Sequence, residues 1–186
     1  MENISKEQIS DSIFLLHNVL SVNECDQYIL FSESQNFQEA TVSLESGAKM
    51  MKNIRNNKRL TIENQGTANL LWEKVKSFIP DIEGKKPIGL NERIRFYKYD
   101  VNERFNTHID GRVSLENKES LLSFLIYLND DYVGGQTQFK DYTTTPKTGT
   151  ALCFIHELKH KGVKVEEGTK YVLRSDIFYE RSKIRE

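Results

Sequence analysis

His108 and Asp110 stand two residues apart after a strand-like run, and His160 and Lys170 lie ten residues apart near the C-terminal end. Two imidazoles and one carboxylate suit one face of an octahedral ion and leave three adjacent positions open. That donor set marks a non-haem Fe(II) site that activates oxygen. On one regular strand His108 and Asp110 point to the same face, and a different strand must deliver His160. A lysine close by could hold the far carboxylate of a keto-acid co-substrate.

The last strand supports this reading. A period of two puts Lys170, Val172 and Arg174 on one face and Tyr171, Leu173 and Ile177 on the other. Two cations facing into an apolar barrel are costly unless anions meet them, and a bound dicarboxylate would do so. Taken alone, the same face reads more readily as an outward, solvated one.

A competing pattern overlaps the site. His156-Glu157-Leu158-Lys159-His160 matches the zinc-protease signature, with Glu180 twenty residues on as a third ligand to consider. That chemistry needs both histidines on one helical face. The flanks Thr150 to Phe154 and Gly162 to Val165 are rich in β-branched residues and glycine, which argues for strands. His156 is then expected at the pocket edge or in a structural role, and His17 is expected to be ordinary.

The elements that position these residues fall into two halves. Ser21 and Glu24 form a capping box, with Leu20 able to staple against Cys25, so a helix over Ser21 to Glu33 is expected. A second is expected over Ala68 to Ile79, where Leu71, Val75, Phe78 and Ile79 recur at helical spacing and Pro80 ends it. Between them, Lys49 to Arg59 carries five basic residues and no acidic one. It is expected as a loop over the site or a solvated edge. A basic flap there could recruit a substrate bearing carboxylates or phosphates, with Gly111 to Ser120 as a second candidate wall.

After Arg93 come strands. Arg93 to Tyr99 alternates, Leu121 to Leu128 is apolar on both faces, and Gln136 to Phe139, Thr150 to Ile155, Val163 to Val165 and Tyr171 to Tyr179 follow. Turn signals separate them. The expected fold is mainly β with N-terminal helices: a jelly-roll, cupin-like barrel flanked by helices. One domain over residues 1–186 is expected, with 1–90 as helical support and substrate-side loop and 91–180 as the catalytic barrel core.

Composition excludes several classes. The 186 residues suit one domain, the charged fraction is 28%, and the formal net charge of −1 gives no global pull toward nucleic acid. Cys25 and Cys153 do not make a disulfide framework, and a reducing compartment is the simpler reading. No apolar run is long enough for a membrane span. The polar start lacks a signal-peptide pattern, so a cytoplasmic location is expected.

Several stretches are jointly specific: Arg93-Ile94-Arg95-Phe96-Tyr97-Lys98-Tyr99, His108-Ile109-Asp110, Phe124-Leu125-Ile126-Tyr127-Leu128-Asn129, Gly134-Gly135-Gln136-Thr137, Pro146-Lys147-Thr148-Gly149, His160-Lys161-Gly162 and Lys170-Tyr171-Val172-Leu173-Arg174. In this order they resemble the prolyl-4-hydroxylase-type branch of the Fe(II)/2-oxoglutarate dioxygenases, from Asn91 to Glu180. The resemblance implies a double-stranded β-helix, His108, Asp110 and His160 as catalytic iron ligands, and Lys170 on the distal carboxylate of 2-oxoglutarate. It places Tyr99 and Tyr127 near the co-substrate, with Thr137 and Arg174 as further neighbours. It implies Fe(II), 2-oxoglutarate and O2, with ascorbate as a further candidate ligand. The implied reaction hydroxylates an unactivated C–H bond and releases succinate and CO2. The substrate is expected to be a peptidyl proline, another protein residue or a small molecule. Lys161 departs from the pattern, which often has glutamate after the distal histidine. The alternatives are a zinc metalloprotease and a barrel that binds without turnover.

Overall fold

The structure, a computed structural model, describes residues 3–44, 47–49 and 51–181. Strands β1 (Ser5–Ser10) and β2 (Ile13–His17) form a hairpin before α1 (Val22–Glu33). Next come β3 (Gln38–Glu39), β4 (Val42–Leu44), β5 (Gly47–Lys49), β6 (Lys58–Glu63) and α2 (Gln65–Val75). The second half runs β7 (Pro87–Leu90), β8 (Arg93–Tyr99), β9 (Phe105–His108), β10 (Lys118–Tyr127), β11 (Val133–Gly134) and β12 (Thr137–Gln138). It ends with β13 (Ala151–Ile155), β14 (His160–Gly162), β15 (Val165–Glu167) and β16 (Lys170–Glu180).

The major sheet has the order β1-β2-β13-β10-β16-β8-β6-β3, with β7 also paired to β16. A minor sheet, β12-β14-β9, lies across the barrel from it. Alternation along the strands divides the side chains into two cores. Phe124, Ile126, Cys153, Leu173, Phe96 and Ile94 face α1 and α2, where Cys25, Ala68, Leu71 and Val75 meet them. Leu152, Phe154, Tyr127, Tyr97, Tyr99 and Val172 face the barrel interior with Phe105 and Val165. A fully buried side chain of this size contributes about 1.5–3 kcal/mol of transfer free energy. The jelly-roll expectation therefore holds, with the helices packed outside one sheet.

The first helix begins as its sequence requires: Ser21 caps it, and the reciprocal bonds with Glu24 are both present. The second starts earlier than expected, because Asn64 caps the Thr67 N–H, and it gives way after Val75 to a 3-10 turn over Lys76–Phe78. The first half is also less helical than expected. The apolar run Ile13–Leu16 is a strand paired with β13, and Lys58–Glu63 is a strand paired with β8. The main sheet thus draws strands from both halves of the chain.

The segment expected as a solvated loop or flap is tied down. Part of it, residue 50, lies outside the described residues. Beyond that, Asn106 N–H donates to the Ile54 carbonyl (2.8 Å), Arg104 N–H to Asn56 Oδ1 (2.8 Å) and the Asn106 side chain to the Asn53 carbonyl (2.8 Å). Residues 51–57 form a strap along β9, and its Arg55 is buried rather than solvated. The second candidate wall is a turn, closed by Leu115 N–H on the Lys118 carbonyl (2.8 Å), that feeds β10.

Candidate active site

The barrel interior brings His108, Asp110 and His160 together, with one potential ligand atom from each within 4.8 Å of the others. His108 closes β9 and His160 opens β14, and the two are direct cross-strand partners. Asp110 does not share a regular strand with His108, as period two had suggested. It sits past the end of β9, where its N–H donates to the His156 carbonyl (3.2 Å).

The histidines are set up as donors of lone pairs. His108 Nδ1–H donates to the Asn106 carbonyl (2.8 Å) and His160 Nδ1–H to the Leu158 carbonyl (2.9 Å). A carbonyl can only accept, so each Nδ1 carries a hydrogen, and in the neutral ring Nε2 keeps its lone pair for a metal. Both Nε2 atoms face Asp110, at 3.6 Å from Oδ1 and 3.8 Å from Oδ2. Burial pushes the His160 imidazole down to about 4, which keeps it neutral near pH 7. Burial alone would raise the Asp110 carboxyl, but Arg174 and the two histidines outweigh it and hold Asp110 well below the usual carboxylate range. Two imidazoles and an ionised carboxylate fit a divalent cation.

Asp110 is gripped on both oxygens. Arg174 Nη1 lies 3.0 Å from Oδ1, and Ser123 donates its hydroxyl to Oδ2. Behind Ser123 stands His156, fully buried, with Nδ1 3.0 Å from Ser123 Oγ and Nε2 3.0 Å from Ser120 Oγ. Ser120 Oγ in turn accepts from Val113 N–H. One set of hydrogens satisfies the whole chain: Val113 to Ser120, Ser120 to His156 Nε2, His156 Nδ1 to Ser123, Ser123 to Asp110. His156 is thus a buried support with both nitrogens engaged. The stretch from His156 to His160 is a turn between β13 and β14, not a helix, and Glu180 is exposed at the far end of β16. The protease reading has no geometry to rest on.

Lys170 opens β16 on the interior face. It is buried, donates to the Gly135 carbonyl (2.5 Å), and lies 5.0 Å from the Tyr99 ring and 5.5 Å from the Tyr127 ring. Among the described residues it has no carboxylate partner, and burial pulls its ammonium down to about 7. Gly135 makes room for it. At φ +67° the backbone suits glycine, and a Cβ there would come 3.2 Å from Lys170 Cδ and 2.9 Å from the Tyr132 ring. Tyr99, Thr137 and Arg174 line the same cavity as Lys170 and the triad. Tyr127 sits behind them, its hydroxyl engaged by Thr137 Oγ1 (2.8 Å) and Thr144 Oγ1 (3.2 Å).

Sequence reasoning missed Tyr97, Phe105 and Ser123, and it placed Arg55 on a solvated flap rather than in the interior. Phe105 stacks on the His108 ring, with centroids 3.5 Å apart. Arg55 stacks in turn on Phe105 (4.4 Å) and on Tyr97 (4.5 Å). Burial raises the Tyr97 phenol, yet Arg174, Arg95 and Arg55 together bring it down to about 7.

Residues 94–175, which hold the triad and Lys170, match the model of the 2OG-Fe(II) oxygenase superfamily. Over that stretch the chain is similar to that superfamily. The findings support an oxygenase of the prolyl-hydroxylase type, a class that uses Fe(II), 2-oxoglutarate and O2. A protein of Acanthamoeba polyphaga mimivirus named "Putative prolyl 4-hydroxylase" is 25% identical over 182 residues, covering 86% of this chain and 71% of the relative. The fold is shared with the viral collagen prolyl hydroxylase of Paramecium bursaria Chlorella virus-1, solved with 2OG. There the TM-score is 0.63 at 17% identity, covering 91% of this chain and 97% of the other. It is also shared with a Trichoplax adhaerens prolyl hydroxylase solved with a hypoxia inducible factor peptide fragment. That pair has a TM-score of 0.70 at 15% identity, covering 91% and 84%.

Proposed function

We propose that this oxygenase hydroxylates a C–H bond in a peptide or protein, with His108, Asp110 and His160 holding Fe(II) and Lys170 holding the distal carboxylate of 2-oxoglutarate. The observation that carries the assignment is Lys170: a buried ammonium with no carboxylate partner among the described residues, in the same cavity as the His-Asp-His cluster. A buried unpaired charge is expensive, and a dianionic co-substrate would supply the missing partner.

When bound, Fe(II), 2-oxoglutarate and O2 would supply the oxidising chemistry, with one oxygen atom ending in succinate, the other in the hydroxylated substrate, and CO2 released. The residues of the chain do the rest. His108 and His160 present their Nε2 atoms to the site, fixed by the backbone carbonyls that hold Nδ1. Ser123 and Arg174 fix the plane of the Asp110 carboxylate. Tyr99, Leu125 and Val172 close the walls and exclude water. Tyr127 and Thr137 brace the Lys170 end, each holding the other's hydroxyl. The cavity is small, about 30 Å³, because the long cationic side chains fill it.

A peptidyl substrate is favoured by the kinship with prolyl hydroxylases, and proline is its first candidate residue. We assign the cytoplasm as the working location. No helix among the described residues is long and apolar enough to cross a membrane, and the two buried cysteines are free thiols. Ascorbate is a candidate accessory ligand. The whole chain is assigned to one catalytic domain. The test is mass spectrometry of peptide pools incubated with the iron-loaded chain, 2-oxoglutarate and O2. A gain of one oxygen matched by succinate supports the reading, and succinate release without oxygen gain in any peptide removes the peptide assignment.

A further inference from the structure

Four buried side-chain polar atoms have no hydrogen-bond partner among the described residues, and three of them are guanidinium nitrogens: Arg55 Nη2, Arg95 Nε and Arg174 Nε. The three arginines surround one side chain, Tyr97. Arg55 stacks on its ring, Arg174 Nη1 lies 3.5 Å from its hydroxyl, and Arg95 precedes it by two positions on the same face of β8. Arg95 and Arg174 are cross-strand partners. Arg59 extends the wall outward, because it is the cross-strand partner of Tyr97 and so shares its face. Its recorded partner is a hydroxyl, Thr41 Oγ1 at 3.2 Å, rather than a carboxylate.

The charges do not balance. Lys170, Arg174, Arg95 and Arg55 bring four positive charges to this interior, and Asp110 and Asp176 bring two negative ones. A divalent ion adds two positive charges and a 2-oxoglutarate dianion removes two. Two positive charges stay unmatched with both bound, and one still does where the Tyr97 phenol gives up its proton. Native interiors seldom leave buried N–H groups and buried charge uncompensated together.

We infer that the wall formed by Arg55, Arg95 and Arg174 around Tyr97 is an oxyanion site for the substrate: the peptide that is hydroxylated carries a carboxylate or phosphate group beside its target residue. The inference rests on the proposed peptide hydroxylation and names its substrate class. Guanidinium is the suitable group, since its planar fork meets two oxygens of either anion at once. The strap places Arg55 against Phe105, the ring that stacks on His108, so an anion held there lies close to the metal ligands.

The test uses the full chain loaded with Mn(II) and 2-oxoglutarate in the absence of oxygen. Calorimetry follows four blocked tripeptides with glutamate, glutamine, phosphoserine or serine at the centre. At least one acidic peptide is expected to bind about tenfold or more tightly than its neutral twin, which is the size of one charge-assisted contact. The two pairs tell carboxylate from phosphate. Arg55→Met, which keeps much of the stacked bulk, is expected to bring acidic and neutral peptides within about twofold while 2-oxoglutarate still binds. If Arg55→Met does not fold, Arg59→Met at the rim provides the reading, with discrimination expected to fall about threefold. Equal binding of acidic and neutral peptides by the unaltered chain overturns the site. So does discrimination that survives in the folded variants, or equal loss of peptide and 2-oxoglutarate binding. Failure of 2-oxoglutarate to bind the Mn(II)-loaded chain is a separate signal and counts against the proposed function itself.

Discussion

Ser123 hands its hydroxyl hydrogen to Asp110 and is itself steadied from behind by His156. The carboxylate proposed to hold iron is therefore fixed by a serine inside an apolar strand, backed by a histidine that belongs to the misleading protease pattern.

Ser123→Ala removes a hydrogen bond to an ionised group, a loss of about 1.5–3 kcal/mol. Divalent-metal affinity, measured with Mn(II) or Co(II), is expected to fall about 10–100-fold. Ser123→Thr keeps the hydroxyl and should recover most of it. Unchanged affinity in the alanine variant would mean that the serine does not orient Asp110.

His108→Ala, Asp110→Ala and His160→Ala are each expected to abolish metal-dependent release of succinate. His156→Ala should cost less metal affinity than any of them, because His156 acts only through Ser123. A chain that keeps its metal without Asp110 and loses it without His156 would reverse the assignment.

Lys170→Ala leaves the co-substrate's distal carboxylate without its cation, and breaking such a buried pair costs about 3–5 kcal/mol. The KM for 2-oxoglutarate should rise about a hundredfold or more. A pH dependence follows as well. Burial draws the free ammonium down to about 7, so the charged form that binds a dianion is lost as pH rises through that value. KM should therefore climb about tenfold per pH unit above it and stay flat below. Lys170→Arg stays charged throughout and should flatten the profile even if the longer side chain raises KM overall. A flat profile in the unaltered chain would refute the role.

Asp176 is buried between Arg95 and Arg174 and is the carboxylate they share. Asp176→Asn leaves two guanidinium groups less compensated, and stability should drop by about 3–5 kcal/mol. Urea unfolding would show this as a shift in midpoint at constant slope. A loss below about 1 kcal/mol would mean that solvent already reaches the pair.

Much of the site was legible because its signals are local. The later His160 and the alternation through Lys170, Val172 and Arg174 survive folding, and Asp110 still joins His108 although it lies past the end of β9. Strand β6 was equally legible in principle, since Leu60 and Ile62 alternate with Arg59, Thr61 and Glu63, but its charges drew attention away from the period. Ser123 left a fainter trace, a small polar residue in the apolar run from Leu121 to Leu128. Arg55 left none. Its burial comes from rings at Tyr97 and Phe105, more than forty residues away, and no pattern within the strap announces them.

The inward face of β16 carries Lys170, Val172, Arg174 and Asp176 at every second position. A strand of this kind works as a reading frame. Deleting or inserting one residue between Lys170 and Asp176 would turn the positions beyond it to the helix side. The ammonium, the guanidinium and their shared carboxylate would then no longer face the metal ligands together. Substitutions there can be graded in effect, whereas a change of length cannot. The turn at 111–117 and the connection at 140–148 have no such frame and can lengthen without moving any of the four.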